Sequence, residues 1–285
     1  MIASTLRQCA STAAVGALLI SVPCFEAGAA DASAWDGDAR SAVRLVAGSV
    51  AGSNGNVLRA GVEIRLAAGW KTYWRYPGDS GVPPTFDFSK SENVKSVAVL
   101  WPAPHRFTDD GGNSIGYKVG VTLPVHVVPE NTKRPVILRL ALDYAVCEKL
   151  CVPAKGAARV DLASQATPYD GALAAAEARV PRPSRLGEAA PLGIAAVRRE
   201  TGGSRPRVIV DVAAPVAAPL DLFVEGPTGD WALPLPEPIS GASPGLRRFA
   251  FELDGVPPGA NAIGAHLRFT LVSGEKAIEA TAVLE

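Results

Sequence analysis

The sequence predicts an all-β protein of two β-sandwich domains joined by a short helix and a proline-rich linker. Apolar residues alternate with polar residues along many short segments, which is the period of half-buried strands. The 24 prolines and 28 glycines punctuate these segments, as turns between antiparallel strands require. Helical segments do not alternate with the strands, so sandwiches are favoured over a parallel sheet.

Strand candidates occur in two groups along the chain. In the first group, Val62, Ile64 and Leu66 are separated by charged residues, so one face of the strand is apolar. The second group repeats this pattern, with Val208, Val210 and Val212 on one face. The candidates are 62–66, 94–100, 122–128, 138–144, 208–212, 220–224, 249–253, 266–272 and 277–284.

One helix is predicted between the two groups, over Tyr169–Val180, where alanines surround Leu173. The following prolines in 181–184 end it, because proline has no backbone N–H to donate and restricts the residue before it. These features divide the chain into a first sandwich over 35–165, a helix and linker over 166–189, and a second sandwich over 190–285.

Residues 1–29 are predicted to be a secretory signal peptide. Arg7 supplies the positive start, Ala10–Val22 is apolar and rich in small residues, and 27–29 (AGA) offers a small-x-small cleavage site. The apolar run is too short and too rich in Ser, Thr and Gly to form a stable membrane span. A lipoprotein anchor at Cys24 is the alternative, although Pro23 fits that signal poorly.

The charges balance, with 28 Lys and Arg against 28 Asp and Glu. A neutral surface gives no electrostatic reason to expect nucleic acid or an anionic membrane as partner. The hydrophobic content of 48% is sufficient for two cores.

Cleavage near Ala29 would remove Cys9 and Cys24 and leave Cys147 and Cys151 as the thiols of the mature chain. A structural disulfide is the usual fate of such a pair outside the cytosol. A bridge closing so short a loop stabilises the fold by only about 2 kcal/mol, against about 4.7 kcal/mol for a hundred-residue loop. The spacing therefore leaves three interpretations open: a redox pair, a structural bridge and a metal site.

The residues around the pair are compatible with exchange chemistry. Four-residue spacing suits a disulfide on a helical turn or across a tight hairpin, and exposed bonds exchange more readily. Lys149 could favour a thiolate, whereas Glu148 could oppose it or take part in proton transfer. For a Cu(I) or Zn(II) site, His105 is the plausible third ligand. His126 and His266 fall within strand candidates.

Several segments together resemble the periplasmic N-terminal domain of the thiol:disulfide interchange protein DsbD, and in particular the alpha-domain branch found in the copper-tolerance protein ScsB. The resemblance covers most of 35–162, and the second half of the chain is similar to the second sandwich of that branch. The segments that carry it are 69–84 (GWKTYWRYPGDSGVPP), 101–104 (WPAP), 115–117 (IGY), 122–125 (TLPV) and 144–153 (YAVCEKLCVP).

The resemblance implies an immunoglobulin-like fold, a periplasmic location and a redox role for Cys147 and Cys151, with no bound cofactor. The pair would accept electrons from a membrane-embedded or thioredoxin-like donor and pass them to periplasmic proteins that contain disulfides. The chain would then be a component of a protein-disulfide reductase system. The alternative is a sandwich that binds copper or docks a partner, with its cysteines oxidised and inert.

The family also shields its cysteines with a cap loop, which the resemblance places near 106–112. It makes Phe107 the candidate shielding aromatic and Asp109 and Asp110 its acidic neighbours, although a solvated turn is the simpler interpretation of the two aspartates. Aromatic residues in 70–76 are predicted to pack in the sandwich, with partner docking as the alternative. The string GDSG in 78–81 is interpreted as a turn rather than as part of a hydrolase.

Overall fold

The computed structural model describes residues 30–51, 57–79, 81–109, 112–162, 165–202, 205–215 and 218–285. The predicted signal peptide lies outside these residues. Among them, no helix has the length and apolar character needed to cross a lipid bilayer.

The described residues of the first sandwich form eleven strands in two antiparallel sheets. One sheet has the order β1-β2-β3-β9-β6, and the other has the order β11-β10-β4-β8-β7 with β5 paired to β10. The strands are β1 (Asp36–Gly37), β2 (Ser41–Ala51), β3 (Val57–Leu66), β4 (Lys71–Gly78), β5 (Thr85–Asp87), β6 (Val94–Val99), β7 (His105–Asp109), β8 (Gly112–Tyr117), β9 (Val121–Pro129), β10 (Val136–Cys147) and β11 (Cys151–Leu162).

The predicted alternation is confirmed in the core of this sandwich. Val62 and Ile64 of β3 are buried, whereas Arg65, on the opposite face of the strand, is exposed. On β10, Leu138, Leu140 and Leu142 face the same core. The period of two therefore determines which face of each strand is removed from water.

Helix α1 (Asp170–Ala178), the one α-helix in the part of the chain that the structure describes, packs on the first sandwich. Leu173 is fully buried there, and Gly48 and Gly61 make room for it: a Cβ at Gly48 would lie 2.4 Å from a Leu173 methyl carbon. Arg59 of β3 also pairs with Glu177 at 2.9 Å. The helix therefore packs against the first sandwich and is part of that domain.

The proline-rich segment after the helix differs from a free linker. Arg182–Pro183 forms a short strand, β12, that pairs in parallel with β19 of the second sandwich. The N–H of Ser184 continues this pairing to the carbonyl of Glu279 at 2.8 Å. Pro183 is tolerated because β12 lies at the edge of its sheet, where proline removes no ladder bond inside the sheet.

The second sandwich is also antiparallel apart from β12, with sheet orders β12-β19-β18-β15 and β13-β14-β17-β16. Its core holds the predicted apolar faces, including Val208, Val210 and Phe249. The all-β prediction of two sandwiches is thereby confirmed. The strands are β13 (Gly193–Glu200), β14 (Arg207–Ala213), β15 (Asp221–Glu225), β16 (Glu237–Ile239), β17 (Leu246–Glu252), β18 (His266–Ser273) and β19 (Lys276–Val283).

The two sandwiches share a buried boundary. Phe223 of β15 has no exposed surface and belongs to the core of the first sandwich, where its ring centroid lies 5.9 Å from that of Trp74. Beside this contact, the largely buried guanidinium of Arg75 binds the carboxylates of Glu225, at 2.7 Å, and Glu279. Strand β4 therefore contacts the second sandwich through Trp74 and Arg75.

Candidate functional site

The cysteine pair lies at the end of a long hairpin. Strands β10 and β11 pair from Val136↔Leu162 to Cys147↔Cys151, and a disulfide joins the two sulfurs of the last pair. Residues 148–150 form the exposed turn beyond it. The Cα atoms of Cys147 and Cys151 are 4.1 Å apart, since the two residues lie directly opposite each other on neighbouring strands. Of the two geometries that the spacing allows, the chain adopts the hairpin.

The two cysteines differ sharply in exposure. Cys147 is 6% exposed and packs with Tyr73 and Ala145 in a small apolar cluster outside the main core. Cys151 is exposed, and its neighbour Leu150 is 74% exposed. Because an incoming thiolate must reach the sulfur that it attacks, Cys151 is the accessible partner.

A tyrosine hydroxyl contacts the accessible sulfur. Tyr73 of β4 is buried, and its Oη lies 3.0 Å from Cys151 Sγ. When Cys151 is a thiolate, this hydroxyl can donate a hydrogen bond to it and stabilise the charge. The sequence-based interpretation treated Tyr73 as packing and missed this contact. Its alternation with Trp74, which lies in the core, is the signal that it faces the other side of the sheet.

A buried lysine lies beside the pair on the same sheet face. Lys71 is directly opposite Cys147 in the β4–β10 register and is 6% exposed. Its ammonium donates a hydrogen bond to Ser114 Oγ at 3.0 Å and lies 5.9 Å from the centroid of the Phe107 ring. Lys118 approaches that ring at 4.4 Å. Positive charge is thus concentrated around Phe107, and Lys71 carries part of it opposite Cys147.

The segment predicted as a cap loop is a hairpin made of β7 and β8. Phe107 pairs with Ser114, so its side chain shares the face on which Lys71 reaches Ser114. The backbone of Asp109 pairs with Gly112 at the hairpin end. The side chain of Asp109 and all of Asp110 lie outside the described residues, so their assignment as acidic cap residues stays a prediction.

Glu148, proposed for proton transfer, lies in the exposed turn of the cysteine hairpin. Its carboxylate lies close to Gly69, where a Cβ would be 3.1 Å from Glu148 Oε1. Gly69 has a φ of +85°, which favours glycine in the turn that leads into β4. The carboxylate is therefore on the rim of the site, and its role in proton transfer stays a prediction.

The turn after β4 supports both Tyr73 and the β7–β8 hairpin. Gly81 packs against the tyrosine ring, since a Cβ there would lie 2.6 Å from a ring carbon. Asp79 accepts a hydrogen bond from the backbone N–H of Asn113 at 3.0 Å, and its own N–H donates to the carbonyl of Asn113 at 2.9 Å. The described residues Asp79 and Gly81 of 78–81 therefore contribute hydrogen bonds and packing to the fold.

Two tyrosines behind the site are held in the protonated form. Burial raises the pKa of Tyr117, and its hydroxyl donates to the Pro102 carbonyl at 2.8 Å. Burial, with the negative charges of Asp79 and Glu225, raises the pKa of Tyr76 to about 12. The hydroxyl of Tyr76 donates to the carbonyl of Leu233, so it also connects the two sandwiches.

The three histidines lie on three different strands, His105 on β7, His126 on β9 and His266 on β18. His105 pairs with Gly116 in the β7–β8 hairpin. His126 is 3.4 Å from Glu177 on the helix side of the first sandwich. Among the described residues, no three His, Cys, Asp or Glu side chains form a group suited to a metal ion.

Comparisons with known proteins agree with this architecture. Residues 42–162 match the family described as the N-terminal domain of the thiol:disulfide interchange protein DsbD. The fold is similar to that of the N-terminal periplasmic domain of ScsB from Proteus mirabilis, with a TM-score of 0.69 and 21% sequence identity. The match covers 89% of this chain and 98% of that one. No curated protein matches the chain.

Proposed function

Because residues 42–162 form a domain of the DsbD N-terminal family, we propose that the chain is a periplasmic thiol–disulfide exchange module that works through Cys147 and Cys151. The observation that supports this most strongly is the asymmetry of the pair. Cys151 is exposed, and its sulfur accepts a hydrogen bond from the Tyr73 hydroxyl at 3.0 Å. Cys147 is only 6% exposed. An accessible nucleophile beside a protected resolving thiol is the arrangement that exchange requires.

In the proposed reaction, the reduced protein acts first through the thiolate of Cys151. This thiolate attacks one sulfur of a client disulfide, and the other client sulfur leaves as a thiolate and takes up a proton. Cys147, after losing its proton, then attacks Cys151 Sγ, so the mixed disulfide breaks and the second client thiol is released. Two electrons and two protons pass to the client, and the Cys147–Cys151 disulfide re-forms.

The oxidised pair must then be reset by a dithiol donor. We propose a membrane-embedded or thioredoxin-like protein, whose thiolate attacks Cys151 because Cys147 is buried. The attack releases Cys147 as a thiolate, and the second donor thiol resolves the mixed disulfide. The module thus acts as a relay between that donor and periplasmic client proteins.

The reduction potential of the Cys147–Cys151 pair tests this proposal. The bridge closes a short, surface-exposed loop and contributes only about 2 kcal/mol of stability, so we expect a reduction potential between about −270 and −120 mV, the range of thiol–disulfide oxidoreductases. Equilibration with glutathione buffers, followed by thiol trapping and gel shift, measures it. A potential below about −300 mV, typical of structural disulfides, would contradict the proposal.

Tyr73→Phe is expected to slow the attack of Cys151 on a model disulfide at pH 7. A hydrogen bond to a charged sulfur contributes about 1.5–3 kcal/mol. Its loss should therefore raise the pKa of the Cys151 thiol by about one to two units, and the thiolate fraction should fall on the order of tenfold or more. The pH dependence of iodoacetamide alkylation measures the shift.

Tyr144→Phe is the matched control for this measurement. Tyr144 lies on the same hairpin, but its hydroxyl bonds Ser41 Oγ at 2.8 Å on the core side. The Tyr144→Phe variant also loses a tyrosine hydroxyl, but this hydroxyl does not contact Cys151. The pH dependence of Cys151 alkylation should therefore stay unchanged. Equal shifts in both variants would show that Tyr73 acts through stability and not through the Cys151 thiolate.

A further inference from the structure

Lys71 is a buried, positively charged residue beside the cysteine pair. It is 6% exposed, as is Cys147, which lies directly opposite it on β10. In an antiparallel pair, directly opposed residues point to the same face of the sheet, and their Cβ atoms lie about 4.5–5.5 Å apart. The stem of Lys71 therefore packs beside Cys147, on the face that carries the small apolar cluster around this sulfur.

The position of β4 in its sheet gives Lys71 a neighbour on each side. Strand β4 lies between β10 and β8, so Cys147 is on one side of Lys71 and Ser114 on the other. The ammonium donates to Ser114 Oγ at 3.0 Å, and this acceptor is neutral. A thiolate attracts an ammonium more strongly than a hydroxyl does where little water is present. Because the lysine stem is flexible, the ammonium can turn towards a thiolate at Cys147.

A thiolate at Cys147 has unfavourable surroundings without such a cation. Cys147 packs with Tyr73 and Ala145 in an apolar cluster. Burial of this kind disfavours the charged form of a thiol and raises its pKa. Exchange nevertheless forms this thiolate in both directions, since reduction of the bridge releases it and oxidation requires it as the nucleophile. A buried positive charge beside the sulfur offsets the penalty.

The other described ionisable groups near the pair on this face act less directly on the buried sulfur. They are Tyr73 on β4, His105 on β7, Lys118 after β8, Asp143 on β10, Glu148 and Lys149 in the turn, and Lys155 on β11. The Tyr73 hydroxyl contacts the sulfur of Cys151, and the remaining groups are exposed. Water screens exposed charges more strongly than buried ones, so Lys71 should act on Cys147 more strongly than they do.

We propose that Lys71 is the counter-charge for the Cys147 thiolate in the exchange reaction. When a donor thiolate attacks Cys151, the S–S bond breaks and Cys147 Sγ keeps the electron pair. The Lys71 ammonium stabilises this thiolate until it takes a proton from water. In the opposite direction, Cys147 loses its proton to water beside the same ammonium and attacks Cys151, and the client sulfur leaves as a thiolate. This inference rests on the proposed exchange function.

Lys71→Met is expected to raise the pKa of the Cys147 thiol by about one to two units. The variant is made in a Cys151→Ser background, where Cys147 is the remaining sulfur of the pair, and the ultraviolet absorbance of the thiolate is followed against pH. Subtracting the same titration of Cys147→Ser/Cys151→Ser removes the tyrosine signal. With both cysteines present, Lys71→Met should also slow reduction by dithiothreitol about threefold or more, because a thiol of higher pKa is a poorer leaving group.

Two control variants separate the charge of Lys71 from its structural contact. Lys118→Met removes an exposed cation by the same substitution and should move the pKa of Cys147 by no more than about a third of that shift. Ser114→Ala removes the acceptor of the Lys71 ammonium but leaves its charge, so the pKa of Cys147 should stay the same or fall. If Lys71 served only to hold Ser114, the two variants Ser114→Ala and Lys71→Met would raise this pKa equally.

An unchanged pKa of Cys147 in Lys71→Met, or an equal rise in Ser114→Ala, would overturn the role of Lys71. If Lys71→Met does not fold, the Cys151→Ser protein with Lys71 intact decides. Its buried thiol should titrate at or below the ordinary cysteine value of about 8.5, and a higher value would overturn the role. These titrations require no exchange partner. Failure of the exchange function would appear separately, as a bridge that glutathione buffers do not reduce.

Discussion

Cys147→Ser should trap this protein in mixed disulfides, whereas Cys151→Ser should make it almost inert. The exposed Cys151 keeps its tyrosine contact in the first variant and can still attack a client disulfide, but no second thiol is present to resolve the product. The second variant leaves only the buried Cys147. Its reaction with a model disulfide should be slower on the order of a hundredfold, because access limits attack.

The two variants should have similar stability despite their different reactivity. Each removes the same short-loop bridge, which is worth about 2 kcal/mol. Urea unfolding of both variants, beside the double variant Cys147→Ser/Cys151→Ser, checks this expectation. Gel analysis without reductant, after mixing with periplasmic extract, counts the trapped complexes. Equal trapping by the two single variants, or reaction through Cys147 alone, would contradict the assignment of Cys151 as the attacking thiol.

Gly116→Ala is expected to cost the most stability of the changes considered, about 3 kcal/mol or more. Gly116 of β8 lies opposite Tyr73 of β4, and a Cβ there would be 1.9 Å from the carbonyl oxygen of Thr72 and 2.9 Å from the Cα of Tyr73. These are backbone atoms, so no side-chain rotation relieves the overlap. Strands β4 and β8 must therefore separate, which disturbs the strand that carries Tyr73.

Gly171→Ala provides the matched control because it adds the same methyl group. Nothing lies within 4 Å of a Cβ at Gly171, which is in helix α1. Alanine there should stabilise the protein by about 0.4–1 kcal/mol, through lower backbone entropy in the unfolded chain. Urea unfolding measures both variants. A loss below about 1 kcal/mol for Gly116→Ala would show that the close β4–β8 approach is relieved at little cost.

The strands of the two cores were predictable because burial on one face leaves a period of two in the sequence. The pattern in 62–66 became β3, and the pattern in 208–212 became β14. The hairpin of β7 and β8 was not predicted as strands. Strand β8 is buried on both faces over 114–117, so it shows no alternation. Arg106 of β7 faces the second sandwich and donates to Glu237 and to the carbonyl of Pro236, so a charged residue stands where alternation would require an apolar one.

The linker prediction was also limited by a contact between residues that are distant in the sequence. Prolines correctly predict the end of the helix, since that effect acts on neighbouring residues. Whether the following segment is free depends on a partner strand about a hundred residues later. Arg182–Pro183 pairs with Ile278 and Glu279, and no local property of 181–184 identifies that partner.

At the site, spacing and loop length identified the two sulfurs as a pair, and the family motifs suggested their chemistry. Neither the spacing nor the family motifs indicate which of the two sulfurs is accessible. That depends on the hairpin register, which places Cys147 opposite Lys71 of β4 and leaves Cys151 on the outer strand. Tyr73 was also beyond prediction, because its contact with Cys151 joins residues that are 78 positions apart.

The amino-acid sequence alone was therefore sufficient for the all-β class, the two sandwiches, the helix and the cysteine pair, because each depends on periodicity, turn chemistry or short-range spacing. The tertiary structure decided which cysteine meets solvent, which hydroxyl reaches its sulfur, and how Arg106 connects the second sandwich to the hairpin beside them. These contacts arise from strand order and domain packing, which bring distant residues within hydrogen-bond distance and leave no local signal in the chain.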